Sequence, residues 1–380
     1  QGPRLYYGER EPLYMYLAAG MMLALGPTTF ALRLTSAAVG LIGVAAGGAL
    51  AGRLFGRQVG LLTAIAMAAS LWLVPLSRVG FRAITLLAVE TLGLLLLWRA
   101  CATRRERDFA LAGVALGLTV YTYLAARFLP IALAVFLLLV ACWHGKWLRV
   151  RARGLAIATG TALLAARPMG VYLALHPGAI YGRAEQVALG GGAGELARNA
   201  LRTVGMIAWR GDANWRHNLS GAPVFDPLWA SFCVVGVVVA LWRRGPAHLL
   251  ALAIASVMLV PSVLSIDSPH YLRTLGAAPA LYALAALGLS IVAHAVAWRL
   301  GPGLARAVVA LALAVALARG GWGYFVSYAV QPEMFHAFNV DLAAAGRLLA
   351  ASAEWHRDRA RVAVTDRFFQ DRASVAFFLY

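Results

Sequence analysis

Apolar runs separated by short polar turns repeat along most of the chain. A helix needs about 20 such residues to cross a bilayer. Ten segments approach that length: Leu34–Gly52, Val59–Leu76, Ala83–Trp98, Phe109–Tyr123, Phe128–Trp143, Gly154–Leu175, Leu228–Trp242, Leu249–Leu264, Leu275–Trp298 and Gly303–Phe325. An earlier run, Leu13–Leu25, is short for a span. It reads either as a span from the cytoplasm or as a helix lying along the outer face, and its length favours the second. After Phe325 the pattern changes. Asp341 to Ala353 has helical apolar spacing, while Arg361–Asp366 and Val375–Tyr380 read as strands.

The predicted fold is an all-α polytopic membrane protein of about ten spans, followed by the start of a small α/β extracytoplasmic domain. Residues 1–33 form the end of a first outward loop with its juxtamembrane helix, and 34–175 an N-terminal transmembrane core. A long outward loop covers 176–227, C-terminal transmembrane helices 228–326, and the soluble domain begins at 327–380. No inverted repeat of the secondary-transporter kind is apparent. The chain opens on Gln1 and stops at Tyr380 inside a strand-like run, so a missing element is expected in front of it.

Composition sharpens this picture. The 380 residues are 61% hydrophobic and only 13% charged, with a mean hydropathy of +0.73. The net charge of +18 could suggest nucleic acid. The basic residues, however, sit in short clusters between apolar runs and form no continuous basic face, so nucleic acid is not an expected partner. Arg53 and Arg57, then Arg99 to Arg107, Lys146 to Arg153, Arg243 with Arg244, and Arg299 with Arg306 mark every second loop. The positive-inside bias assigns that set to the cytoplasm, as in a multi-pass plasma-membrane protein. Cys101, Cys142 and Cys233 stand singly in or beside apolar helices, without metal or disulfide spacing.

Against the normal bias, the outward loops also carry arginines: Arg10, Arg78, Arg82, Arg127, Arg183, Arg210, Arg216 and Arg273. Any one of them could snorkel to the headgroups. Several together point to an anionic headgroup, because guanidinium forks match phosphate oxygens and stay charged near lipid. The densest polar stretch is Arg210 to Asn218, R-G-D-A-N-W-R-H-N. Asp212, Asn214, Arg216, His217 and Asn218 could hold a sugar and a phosphate, or could satisfy the loop's own backbone. The turn from Asp267 to Arg273 adds His270 and Arg273, and Tyr123 beside Arg127 offers an aromatic face to a sugar or to the membrane interface. Glu9 and Glu11 flank Arg10 as carboxylates able to act as a base or to cap a helix. Glu90 is the one acidic residue inside a predicted span, read as functional or as a protonated group paired with a neighbour. Asp212 with His217, or Asp267 with His270, could each give two metal ligands, but no local spacing supports a divalent metal and no cofactor is called for.

The runs Glu9-Arg10-Glu11-Pro12-Leu13-Tyr14, Phe30 to Ala37, Leu54-Phe55-Gly56-Arg57 and Ser77-Arg78 resemble the amino-terminal half of GT-C glycosyltransferases. Similar families are the bacterial protein-O-mannosyltransferase-like and lipid A aminoarabinose transferase-like enzymes. Gly211 to Asn218 and Pro269-His270-x-x-Arg273 resemble a bacterial branch of that group. The resemblance covers roughly residues 5–330. It implies inverting transfer of a sugar from a polyprenyl-phosphate donor to a protein, lipid or glycan acceptor at the non-cytoplasmic face. It also implies a catalytic aspartate upstream of Gln1, and Arg10 as the cation that meets the lipid phosphate, with Glu11 where relatives have proline. Arg216, Arg273, Arg78, Arg82 and Arg127 would join it on the phosphate, and Asp212, Asn214, His217, His270 and Tyr123 would face the sugars. Relatives often carry an acidic residue after Ser-Arg, where this chain has Arg82 and Ala83. The alternative reading is a transporter or flippase for a lipid-linked anionic glycan.

Overall fold

The computed structural model describes residues 11–176, 192–340, 344 and 347–348. Glu11–Tyr324 forms one compact unit; from Phe325 onward the chain belongs to a second, whose described part contains the helix Pro332–Ala337. The expected strands at 361–366 and 375–380 lie outside the described residues, as do Glu9, Arg10, Arg183 and part of the glycine-rich 190–194 segment. Among the described residues there is no strand.

Seven helices are long and apolar enough to cross a membrane: Thr29–Phe55, Ile84–Thr103, Leu124–Arg149, Ala152–Leu175, Pro246–Val263, Leu275–Leu300 and Pro302–Tyr328. The other three predicted spans are shorter or broken. Val59–Leu76 becomes the helix Arg57–Ala68 and a short turn Leu73–Leu76. At the break, the Ser70 hydroxyl accepts the N–H groups of Trp72 and Leu73, both at 3.1 Å, which starts a new turn and ends the old one. Phe109–Tyr123 is the helix Glu106–Gly117 followed by the 3-10 turn Leu118–Tyr121. Leu228–Trp242 is the helix Pro227–Arg243, whose start is fixed by Asp226 accepting from Leu228 N and Trp229 N.

The 13 residues of Leu13–Leu25 rise about 20 Å, short of a hydrocarbon core of about 30 Å. Tyr14 pins this helix by a 2.6 Å hydrogen bond to Ser36 Oγ, while Tyr16 and Leu23 are exposed. It is one of the shorter apolar helices beside the seven long ones. At the centre of the unit, Leu275–Leu300 is the most enclosed span, together with Ile84–Thr103. It meets Pro227–Arg243 almost backbone to backbone. A Cβ on Gly236 would lie 1.9 Å from Leu284 O, and one on Gly288 would lie 1.9 Å from Phe232 O. Glycine is what permits that approach. Glu90 is fully buried against Gly276, and neither of its carboxyl oxygens finds a hydrogen-bond partner, so the neighbour pairing considered for it does not form.

The loops gather in two separate sets. Arg153 pairs with Glu106 at 2.9 Å, Arg151 donates to Cys101 O, and His144 meets Arg244 O, which brings the basic loops together. The loops read as outward meet one another through a different group of contacts, described below. Three of the five basic loops, those near 99–107, 144–153 and 243–244, thus meet one another. In a variant freed of its native cysteines, Asp267→Cys and Arg105→Cys should react with a membrane-impermeant thiol reagent from opposite sides of sealed vesicles. Labelling of both from one side would break the alternation.

Candidate functional site

The polar knot is built as a closed loop. After the helix Ala193–Gly205, its two arms are joined by Val224 N to Met206 O and Phe225 N to Ile207 O, both at 2.9 Å. Nearer the tip, Gly211 N donates to Gly221 O and Gly221 N to Asp212 O. The Asn218 amide donates to Ala222 O at 2.7 Å, and Ser220 Oγ donates to Ala213 O. Two side chains fold the tip itself: Asp212 Oδ1 accepts from Asn214 N, and Asn214 Oδ1 accepts from Arg216 N. These Asx-type turns place Asn214 and Arg216 outward, and Asp212, His217 and Asn218 inward. From the helix Pro302–Gly321, Arg319 donates to the carbonyls of Pro223 and Val224 and fastens the base of the loop.

Inside, the loop docks on the 265–274 turn. Asp212 Oδ2 accepts from Tyr271 N at 2.9 Å and from His217 Nδ1 at 2.7 Å. Tyr271 returns the contact by donating its hydroxyl to Ala222 O at 2.6 Å, and Trp72 Nε1 donates to Tyr271 O. A Cβ on Gly211 would sit 2.0 Å from Ala222 O and 2.3 Å from Tyr271 Oη, so a side chain there would break the junction. The His270 ring lies against His217, with centroids 4.7 Å apart, and its backbone N–H is held by Ser262 Oγ. Asp212 and His217 are each 4% exposed and His270 9%.

Burial pushes the Asp212 carboxyl up. The His217 hydrogen bond, the nearby imidazoles and the Tyr271 N–H outweigh it and hold the group below the usual carboxylate range. With Asp212 ionised, His217 donates to it from Nδ1, which leaves the Nε2 edge turned away from the carboxylate. His270 is pushed down to about 3, first by burial and then by His217 and Arg273 against the opposing pull of Asp212. Its ring is therefore neutral at physiological pH. Burial drives the Tyr271 phenol well above its ordinary value, which keeps it a donor.

Beside this buried floor stands a rim of arginines on aromatic rings. Arg216 lies over Phe81 at 5.2 Å, and Phe81 meets the His217 ring edge-on at 5.9 Å. The next residue, Arg82, lies over Tyr123 at 5.3 Å and is paired with Glu11 at 2.9 Å. Five segments distant in sequence thus converge: Glu11, the 77–82 turn, Tyr123, the knot and the 265–274 turn.

Residues 9–172 match the family model described as dolichyl-phosphate-mannose-protein mannosyltransferase. The structure is similar to ArnT from Cupriavidus metallidurans bound to undecaprenyl phosphate, with a TM-score of 0.67 at 18% identity, covering 99% of this chain and 75% of that one. The chain carries the GT-C glycosyltransferase fold. A further match is the archaeal oligosaccharyltransferase AglB from Archaeoglobus fulgidus in complex with an inhibitory peptide and a dolichol-phosphate. There the TM-score is 0.55 at 17% identity, over 100% of this chain and 53% of that one. Among curated proteins, none matches the sequence significantly.

Within this GT-C fold the candidate residues fall into groups. Asp212, His217 and His270 form the floor; Arg82, Arg216, Tyr123 and Glu11 form the rim. Arg273 is half-buried and close enough for its charge to act on His270. Asn214 serves the loop's own backbone, Arg127 is exposed, and Arg78 lies over Tyr324 at 5.6 Å. Asp267 is exposed, so the carboxylate beside His270 is Asp212. Phe81 and Tyr271 join these groups without being candidates from the sequence, although both stand in the candidate turns. An aromatic between arginines, and one between a histidine and an arginine, were the available signals.

Gly211→Ala should lower stability by about 1–3 kcal/mol and reduce the thermal midpoint measurably. Gly205→Ala, where a Cβ meets nothing within 4 Å, should leave it in place. Equal midpoints for the two variants would remove the claim that the loop junction is close-packed.

Proposed function

We propose that this chain is a membrane glycosyltransferase that moves a sugar from a polyprenyl-phosphate donor to an acceptor at the non-cytoplasmic face, with inversion. The observation that carries this is the convergence of Arg82, Arg216 and Arg273 with a buried Asp–His pair at the outward loop set. The match to a mannosyltransferase model supports it. So do structural matches whose own complexes hold undecaprenyl phosphate in ArnT and dolichol-phosphate in AglB.

The chemistry follows from the residue types. A lipid phosphate leaves readily once its charge is neutralised, so guanidinium groups serve in place of a general acid. Stacking an arginine on an aromatic face uses the face of the guanidinium and leaves its in-plane N–H donors for phosphate oxygens. Arg216 on Phe81 and Arg82 on Tyr123 are held in that manner. The ion pair with Glu11 orients Arg82. His217, fixed by Asp212, offers Nε2 to a sugar hydroxyl. An acceptor hydroxyl or amine needs a carboxylate base in reach, a role assigned to the upstream aspartate that the GT-C resemblance implies. Attack from the face opposite the departing phosphate inverts the anomeric centre. The acceptor is a protein, lipid or glycan of the cell envelope.

In the full-length protein, Arg216→Ala and Arg273→Ala should each lower turnover of polyprenyl-phosphate sugar by about 10²-fold or more, the cost of losing one charge-stabilising donor. Unchanged turnover in both variants would sink the assigned roles. Transport of the intact lipid-linked glycan without sugar transfer would favour a flippase.

A further inference from the structure

We propose that Asp212, His217 and His270 together bind one divalent transition-metal ion of the zinc kind. Each residue offers a ligand atom within 4.8 Å of the other two, and all three are buried. Two imidazoles and one carboxylate make a mixed nitrogen–oxygen set. Such a set suits zinc, cobalt or manganese, whereas magnesium and calcium favour oxygen donors throughout.

Two details argue for a cation over a purely structural hydrogen-bond cluster. A structural cluster accounts for the Asp212–His217 contact at 2.7 Å. It does not account for His270, whose Nδ1 is buried without a hydrogen-bond partner. An orphaned buried acceptor or donor forfeits its hydration without replacement. Nor does it explain why a second imidazole should lie against the first at 4.7 Å with one carboxylate between two loops. Bound metal supplies the missing partner. It also replaces the proton that His217 Nδ1 shares with Asp212 Oδ2, and that proton leaves to solvent.

The ligands are already oriented for the task. Tyr271 N and Asn214 N hold the two oxygens of Asp212, and Ser262 Oγ holds the backbone of His270. Outer contacts of this kind fix ligand geometry before an ion arrives. The ligands come from segments 211–222 and 265–274, so the ion would clamp the two loops together. This inference stands apart from the sugar-transfer reading, because metal occupancy can be measured without turnover.

The test uses chelator-treated, detergent-purified full-length protein, titrated with Zn²⁺ and, separately, with Co²⁺. The wild type should take up one Zn²⁺ per chain by elemental analysis, show the d–d absorption of nitrogen- and oxygen-ligated Co²⁺, and gain thermal stability with Zn²⁺. His270→Gln and His217→Gln should each weaken Zn²⁺ binding at least about tenfold and lose the Co²⁺ band. His176→Gln, outside the cluster, should change neither. A wild type that binds no Zn²⁺ and gives no Co²⁺ band overturns the proposal whether or not the variants fold. Retention of full stoichiometry and spectrum by a folded His270→Gln would overturn it equally.

Discussion

A carboxylate taken out of water must be surrounded by donors, and at Asp212 they come from two loops. The Tyr271 N–H that binds it lies 59 residues away in sequence. A buried charge that loses such a partner costs several kcal/mol, so neither loop can drift from the other without exposing or orphaning that group. The contact therefore does more than close a turn. It places His217, which sets the edge of Phe81, on which Arg216 rests. Tyr271 then ties the same junction to Trp72, at the break in a predicted span. Position at the rim is inherited from charge satisfaction at the floor.

The two layers are built by different physics. The floor is held by short, directional hydrogen bonds to backbone, which tolerate little displacement. At the rim, Arg216 and Arg82 rest on rings 5.2 to 5.3 Å away, a broader and less directional attraction, and Arg82 alone adds a directional tie to Glu11. An arginine of that kind can follow a phosphate through small shifts of a bound lipid while its neighbours stay put. On the proposed reading, in which the site receives and releases a lipid phosphate, a firm floor beside a more adaptable rim is a workable division.

Much of the architecture was legible in the sequence because hydropathy and charge alternation report burial in lipid directly. The ten apolar segments and the two loop sets follow from that alone. Hydropathy could not reveal the break after Ala68, because one serine hydroxyl capping the next turn scarcely alters an apolar average. The site was legible by parts. Arginine excess marked loops that meet in the fold, and the density of polar groups marked the knot. The pairing of Asp212 with His217, five residues apart, was legible, but the arrival of His270 was not, because it joins them only through tertiary packing. Searches for ligand spacing along the chain pair Asp267 with His270, three residues apart, whereas the fold turns Asp267 outward. Of the two uses the sequence leaves open for Asn214, the fold displays the local one, since a short amide side chain two residues before an N–H readily turns back on the chain.

Arg319 sits near the end of a largely exposed apolar helix yet spends its donors on the carbonyls of Pro223 and Val224. Those carbonyls belong to the arm that pairs with Met206 and Ile207. A tilt or piston motion of that helix, as when bilayer thickness changes, would pull on the base of the knot through two hydrogen bonds. The same arginine therefore makes the helix a lever, and it gives the surrounding lipid a mechanical route to the geometry of the loop.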